Sequence, residues 1–141
     1  MTLTGSTADL LRRVPLFTAM TDAAYERLAA LVETLDVGAG TAITRQGDEA
    51  DAFYVIVAGT ADVRRDDRSV ASLRAGDFFG EIALIDGQPR TASVIAIDDM
   101  ALLRLSRAAF LRLIDEQPAA RLGILMALTE RIRRDAPQPT D

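Results

Sequence analysis

Apolar residues recur at helical spacing at the beginning of the chain. Ser6 and Asp9 have the spacing of a weak capping box before a short helix. Thr21 or Asp22 can cap a second helix that runs through Val32 and carries an inward-facing apolar stripe. The pattern therefore predicts N-terminal helices over about 7–32.

From Glu33 the pattern changes to short β-prone runs separated by glycine. Seven of the nine glycines lie between Gly38 and Gly87. The run at 53–57 is apolar without alternation, so we expect both of its faces to be buried. Short strands at this spacing predict a sandwich, a jelly roll or a barrel. The predicted strands are 33–37, 41–45, 52–58, 60–65, 69–74, 91–97 and 100–105.

Helical spacing returns after the last predicted strand. Ser106 is expected to cap a helix through Ile114, and Pro118 suits the first turn of a final helix over 118–134. The middle of this last helix is apolar almost all round, which is more than one packing face requires. We expect a bound base or a second subunit to cover part of it. Residues 135–141 are predicted to form a tail.

The composition limits the classes of function. At 141 residues the chain has room for one domain, 1–141. It contains no His and no Cys, and all sixteen basic residues are Arg. Ser-His and Cys-His nucleophiles, a lysine Schiff base and His-bound metal are thereby excluded. Catalysis by carboxylates alone is the alternative left, but no paired-acid motif stands out, so we expect neither an enzyme nor a metal site. The net charge of −5 argues against direct nucleic-acid binding. With no membrane span in the sequence, we expect a cytoplasmic protein.

The most informative stretch is residues 79–94. Gly80 allows the backbone to approach a ligand closely, and Glu81–Ile85 can form a short helix whose first N–H groups favour an anion. Arg90 adds a planar cation with forked donors, which suits a phosphate. Glu81 beside a phosphate makes sense when it accepts hydrogen bonds from neutral groups such as sugar hydroxyls. These residue types predict a cradle for phosphate and ribose.

This stretch resembles the phosphate-binding cassette of the cyclic nucleotide-binding domain family. The matching residues are Phe79-Gly80-Glu81, Pro89-Arg90 and Thr91-Ala92. Gly47-Asp48 with the run 53–59 is similar to the family's central hairpin, and the resemblance extends over 7–134. It implies an α+β fold, an antiparallel β-roll or jelly-roll barrel over about 33–105, flanked by the N-terminal helices and two C-terminal helices at about 106–134.

The resemblance also implies roles for individual residues. Arg90 would hold the cyclic phosphate, and Glu81 would accept the ribose 2′-hydroxyl. A hydroxyl at Thr91 can reach a phosphate oxygen or the guanine of cGMP, whereas a strand Thr without a ligand role is the alternative. Thr129 and Ile132 of the last helix are guesses for a lid over the base. The predicted binding residues are Leu73, Phe79, Gly80, Glu81, Ile82, Ala83, Arg90, Thr91 and Ala92.

The sequence therefore predicts a regulatory sensor that binds a 3′,5′-cyclic nucleotide without a cofactor. cAMP is the favoured ligand and cGMP the alternative, and the C-terminal helices are expected to rearrange on binding. No effector domain is recognisable in the sequence, so a partner protein or a further domain is expected to carry the output. The rival hypotheses are a ligand-free docking or dimerisation module of the same fold, and a sensor cut from a transcription factor or channel, with a homodimer through the last helix.

Overall fold

The computed structural model describes residues 7–14, 17, 20–80 and 89–135. Positions 120, 127, 128 and 130–135 are described by their backbone alone. No helix within these ranges is long and apolar enough to cross a membrane.

The order of elements confirms the predicted fold class. Helices α1 (Thr7–Arg12) and α2 (Asp22–Leu31) come first, and helices α3 (Arg107–Glu116) and α4 (Pro118–Asp135) come last. The strands between them are β1 (Val32–Val37), β2 (Ala42–Thr44), β3 (Ala52–Ala58), β4 (Thr60–Arg65), β5 (Arg68–Arg74), β6 (Phe78–Phe79), β7 (Ser93–Ala96) and β8 (Met100–Ser106). Within the described ranges they form two antiparallel sheets, in the orders β1-β8-β3-β6 and β2-β7-β4-β5.

Two helix starts follow the predicted capping chemistry. The amide of Ala24 donates to the Thr21 hydroxyl oxygen at 3.1 Å, and the amide of Ala109 donates to that of Ser106 at 3.3 Å. Both residues therefore satisfy a helix N–H that has no partner within the helix. Helix α2 ends one residue earlier than predicted, because Val32 already pairs with Leu105 in the sheet.

Two strand predictions were wrong. Strand β6 was missed, since two residues are too few to show a period, yet Phe78 and Phe79 pair with β3. The strand predicted from 91 begins only at Ser93. The backbone of Arg90 instead exchanges hydrogen bonds with the turn at Gly47 and Asp48, which keeps this segment out of the ladder.

The described residues divide into two compact units. Ala30–Leu111 holds all the described strands and the first half of α3, and the second unit holds α1, most of α2, the rest of α3 and α4. In the strand unit, a core cluster joins the two sheets. Its buried members are Ala52, Tyr54, Ile56, Ala61, Leu73, Phe79, Val94, Ala96, Met100 and Leu102.

Strand β3 is buried on both faces, as predicted for the apolar run. Tyr54 on one face stacks on Phe79 with ring centroids 5.0 Å apart. Phe53 on the other face lies 5.6 Å from Phe78 and 4.9 Å from Phe110 of α3, between centroids. The aromatic pairs thus anchor β6 beside the central strand on both faces of the sheet, and they anchor the start of α3 to the face that carries Phe53.

We expect Phe110→Ala to lower the free energy of unfolding by about 3–5 kcal/mol, because Phe110 is fully buried against Phe53. The neighbouring Leu111→Ala is the control, since Leu111 is exposed, and should cost less than about 1 kcal/mol. Urea unfolding followed by circular dichroism measures both values. Equal losses in the two variants would contradict this account of the core.

Candidate functional site

Arg90 is a buried cation held by backbone groups. Its side chain donates from Nη2 to the Ala52 carbonyl at 2.8 Å and from Nη1 to the Gly80 carbonyl at 3.3 Å. Its own amide donates to the Asp48 carbonyl at 2.8 Å, and its carbonyl accepts from the Gly47 amide at 2.9 Å. Backbone and guanidinium are therefore both fixed in place.

The nearest carboxylate to Arg90 in the described part of the chain is that of Asp51. Asp51 Oδ1 lies 3.8 Å from Arg90 Nη2, beyond hydrogen-bond distance, and the Asp51 side chain is 72% exposed. The other carboxylate oxygen, Oδ2, lies 3.2 Å from Arg104 Nη2. Asp51 thus sits between two arginines, and its ion pair with Arg90 is loose.

Arg104 has closer acidic partners than Arg90 has among the described residues. Its Nη1 lies 3.2 Å from Glu33 Oε1, in addition to the Asp51 contact. Burial acts to lower the pKa of the Arg104 guanidinium, but a hydrogen bond with Tyr54 and the Asp51 and Glu33 carboxylates raise this pKa above its usual value. Arg104 therefore serves structure by joining β1, β3 and β8.

Gly80 provides the space that the Arg90 guanidinium occupies. Its φ is +94°, and a Cβ at this position would lie 2.7 Å from Arg90 Nη1 and 2.9 Å from the Ala52 carbonyl oxygen. Among the described residues the group that lies close to Gly80 is the Arg90 side chain, so the predicted approach of a ligand to this backbone stays a prediction. A side chain here would push the cation out of its position.

Arg90 lines a cavity of about 250 Å³. This volume is slightly below the range of roughly 300–1,000 Å³ for whole ligand pockets, so the cavity has room for only part of such a ligand. Its polar lining residues are Thr44, Arg45, Asp48, Glu49, Asp51, Tyr54 and Arg90. No group of three or more acidic, His or Cys side chains suited to a metal ion occurs among the residues described.

A second set of hydrogen bonds fixes the turn that holds Arg90. The Gln46 side chain exchanges two hydrogen bonds with Asp66 in the β4–β5 hairpin turn, at 3.0 and 2.9 Å. The backbone amide of Gln46 donates to the Ser93 hydroxyl oxygen at 2.8 Å, and Arg65 Nε donates to the Thr91 carbonyl at 3.3 Å. The exposed tip of the β4–β5 hairpin is therefore hydrogen-bonded to Gln46, next to the turn that holds Arg90, and to Thr91, which follows Arg90 in the chain.

The predicted site residues fall into three groups. Leu73 and Phe79 lie buried in the core cluster between the sheets. Gly80 and Arg90 are in contact, while Thr91 is exposed and Ala92 half-buried just after them. Glu81, Ile82 and Ala83, with the helix predicted at 81–85, lie outside the described residues.

Sequence reasoning missed the residues that orient Arg90. Ala52 contributes only its carbonyl oxygen, which leaves no signal in the sequence, and the 3.8 Å contact of Asp51 depends on how β3 begins. The Gly47-Asp48 pair was noted as part of a hairpin, yet its hydrogen bonds to Arg90 link positions more than forty residues apart.

The two guesses for the lid lie on helix α4. Thr129 is exposed, and its hydroxyl donates to the Leu125 carbonyl within its own helix at 2.9 Å. The Ile132 side chain is outside the described set. The lid therefore stays a prediction.

Facing antiparallel sheets with a buried arginine beside a polar cavity define a β-roll domain for an anionic ligand. A family model described as the cyclic nucleotide-binding domain matches residues 34–117. The chain belongs to this family.

Similar proteins include regulatory and effector proteins. A cAMP-dependent protein kinase regulatory subunit of Colletotrichum orbiculare is 38% identical over 108 residues, 75% of this chain and 28% of that protein. The Pycsar effector protein XpPycTIR of Xanthomonas perforans is 37% identical over 108 residues, 76% of this chain and 36% of that protein. The chain thus spans only about a quarter to a third of the length of these curated relatives.

A solved structure of the regulatory domain of Toxoplasma gondii PKA, determined with cAMP, has the same fold. It is 29% identical to this chain and superimposes with a TM-score of 0.76. The match covers 87% of this chain and 49% of that one. Together with the family match, this likeness identifies the fold as that of a cyclic nucleotide-binding domain.

We expect Gly80→Ala to weaken cyclic nucleotide binding at least tenfold, because the new Cβ displaces the Arg90 guanidinium. Gly76→Ala is the matched control, since Gly76 has the same φ of +94° but a Cβ there would meet no atom within 4 Å. Both variants should lose about 1–3 kcal/mol of stability from the strained backbone. Calorimetric titration with cAMP separates them, and equal affinities would refute the role of Gly80.

Proposed function

We propose that this domain binds a 3′,5′-cyclic nucleotide as a regulatory sensor, with cAMP preferred over cGMP. The family match and the cAMP-dependent kinase subunits among the relatives support this proposal. The likeness to a domain determined with cAMP favours cAMP as the ligand. The net charge of −5 is compatible with a small anion and unfavourable for nucleic acid.

The observation that carries the proposal is the state of Arg90. The residue is 7% exposed, and within the described residues two of its five N–H donors are used on backbone carbonyls. A buried guanidinium with further donors and a loose ion pair is suited to bind a phosphate through charge-assisted hydrogen bonds. Arg90 would therefore hold the cyclic phosphate. The carbonyls of Ala52 and Gly80 would orient the plane of its guanidinium so that the remaining N–H donors face the ligand.

The remaining contacts of the cassette are part of the proposal. The Glu81 carboxylate would accept the ribose 2′-hydroxyl, and the amides of Ile82 and Ala83 would complete the phosphate cradle. Thr91 and Ala92 follow Arg90 directly, so a hydroxyl and a small side chain would flank the phosphate. Leu73 and Phe79 would lie on the sheet side of the base pocket; both belong to the core cluster and lie outside the lining of the Arg90 cavity.

The proposed output is a change in the C-terminal helices. A ligand shifts a conformational equilibrium only by binding one state more tightly than the other, and helices α3 and α4 are the proposed two-state element. The domain would act without catalysis of its own, in the cytoplasm, on an effector domain or a partner protein.

We expect wild-type protein to bind cAMP more tightly than cGMP in calorimetric titrations, and Arg90→Ala to bind cAMP about 30- to 4,000-fold more weakly. Arg90→Lys should also lose much of the affinity, because it keeps the charge but not the fork. Arg68→Ala, an exposed arginine at the hairpin tip, is the control and should bind as wild type does. No heat with either nucleotide on wild type would refute the sensor, and an unchanged Arg90→Ala would refute the site.

The exposed face of α4 favours a second function, self-association. Leu122, Leu125 and Met126 are 57%, 61% and 63% exposed, and their spacing places them on one helix face. Such a face is suited to bind a second copy of the chain. The same observation supports the alternative hypothesis of a docking or dimerisation module.

We expect the mass measured by light scattering to rise with protein concentration toward twice that of the monomer, 15.2 kDa. Leu125→Glu should hold the mass at the monomer value, because it places a charge in the middle of the apolar face. Glu116→Gln serves as a control that leaves this face unchanged. A monomeric wild type at all concentrations would exclude the dimer.

A further inference from the structure

Thr44 shares an uncommon environment with Arg90. Among the described residues these two are the buried polar or charged side chains, Thr44 at 6% exposure and Arg90 at 7%. Both line the same cavity of about 250 Å³. Arg90 has partners that account for its burial, whereas Thr44 needs a separate explanation.

A β-bulge places Thr44 toward the core. In β2 and β7, Ala42 pairs with Ile95, and a regular antiparallel register would pair Thr44 with Ser93. The register shifts, and Thr44 instead pairs with Val94, a member of the core cluster. Directly paired residues lie on the same face of a sheet, so the bulge turns the Thr44 side chain to the inner side.

The buried Thr44 hydroxyl has no hydrogen-bond partner among the described residues. A regular register would have placed the Thr44 side chain on the same face as Ser93, whose hydroxyl oxygen accepts a hydrogen bond from the backbone amide of Gln46. A buried hydroxyl left without a partner costs about 1–3 kcal/mol, so its retention requires a physical reason. A ligand that enters the cavity supplies such a reason.

We propose that the Thr44 hydroxyl is a binding contact that donates a hydrogen bond to the phosphate of the bound cyclic nucleotide. The inference rests on the proposed function, since the nucleotide is the ligand. The acceptor is assigned to the phosphate because Arg90, whose guanidinium is the proposed phosphate ligand, lines the same small cavity. Thr44 thus provides a neutral hydrogen-bond donor beside the charged donors of Arg90, and it does so without burying a second ion.

This role makes stability and affinity change in opposite directions. Thr44→Val keeps the shape of the side chain but removes the unpaired hydroxyl. The ligand-free variant should melt roughly 2–5 °C higher than wild type, because an unsatisfied polar group has been replaced by an apolar one. The same variant should bind cAMP roughly 5- to 50-fold more weakly, because the donor to the phosphate is lost.

The test measures the melting temperature without ligand and the affinity for cAMP by calorimetry, for wild type and three variants. Besides Thr44→Val, Thr44→Ser retains the hydroxyl and should bind within a few-fold of wild type. Thr34→Val, an exposed threonine of β1, is the control and should change neither quantity. These results together would support the contact.

Two outcomes would overturn the inference while leaving the proposed function intact. In the first, wild type binds cAMP and Thr44→Val binds it equally well. In the second, Thr44→Val loses both stability and affinity, which indicates a structural role. Wild type that binds no cyclic nucleotide at all would overturn the proposed function itself, and the inference with it.

Discussion

The burial of one guanidinium, which no carboxylate in the described part of the chain meets at hydrogen-bond distance, is the constraint on which the site depends. Moving a charge out of water is costly unless hydrogen bonds replace the lost hydration, and here the carbonyls of Ala52 and Gly80 do so. The constraint explains why residue 80 lacks a side chain, since a Cβ would occupy the place of Arg90 Nη1. Carbonyls orient the cation but do not neutralise it, so its charge suits an anionic ligand.

The position of the cation depends in turn on long-range backbone pairing. The Gly47-Asp48 turn exchanges two hydrogen bonds with Arg90, and Gln46 ties that turn to Asp66 and Ser93. Because polar contacts on exposed surfaces contribute little individually, the value of this network lies in fixing geometry rather than in stability. The core cluster between the sheets, which includes the stacked rings of Tyr54 and Phe79, gives the site a packed base.

Arg90 and Arg104 both contact the carboxylate of Asp51, but their other partners differ. Arg104 lies between the carboxylates of Glu33 and Asp51 and joins neighbouring strands. Among the described acidic groups, Arg90 meets only the Oδ1 atom of Asp51, at 3.8 Å. Two residues with identical chemistry therefore have different partners, which give Arg104 a structural role and leave Arg90 suited to the proposed phosphate contact, and composition alone could not distinguish them.

The sequence by itself determined the order of the main elements, the capping residues Thr21 and Ser106, and the central place of Arg90. These features depend on local periodicity, on cap chemistry and on a short motif, all of which are contiguous in the chain. The two-residue strand β6 was beyond such reasoning, as was the late start of β7, because pairing with distant segments decides both. Tertiary structure alone decided that Ala52 orients the cation and that a bulge turns Thr44 inward, since backbone carbonyls and strand register leave no trace in residue type.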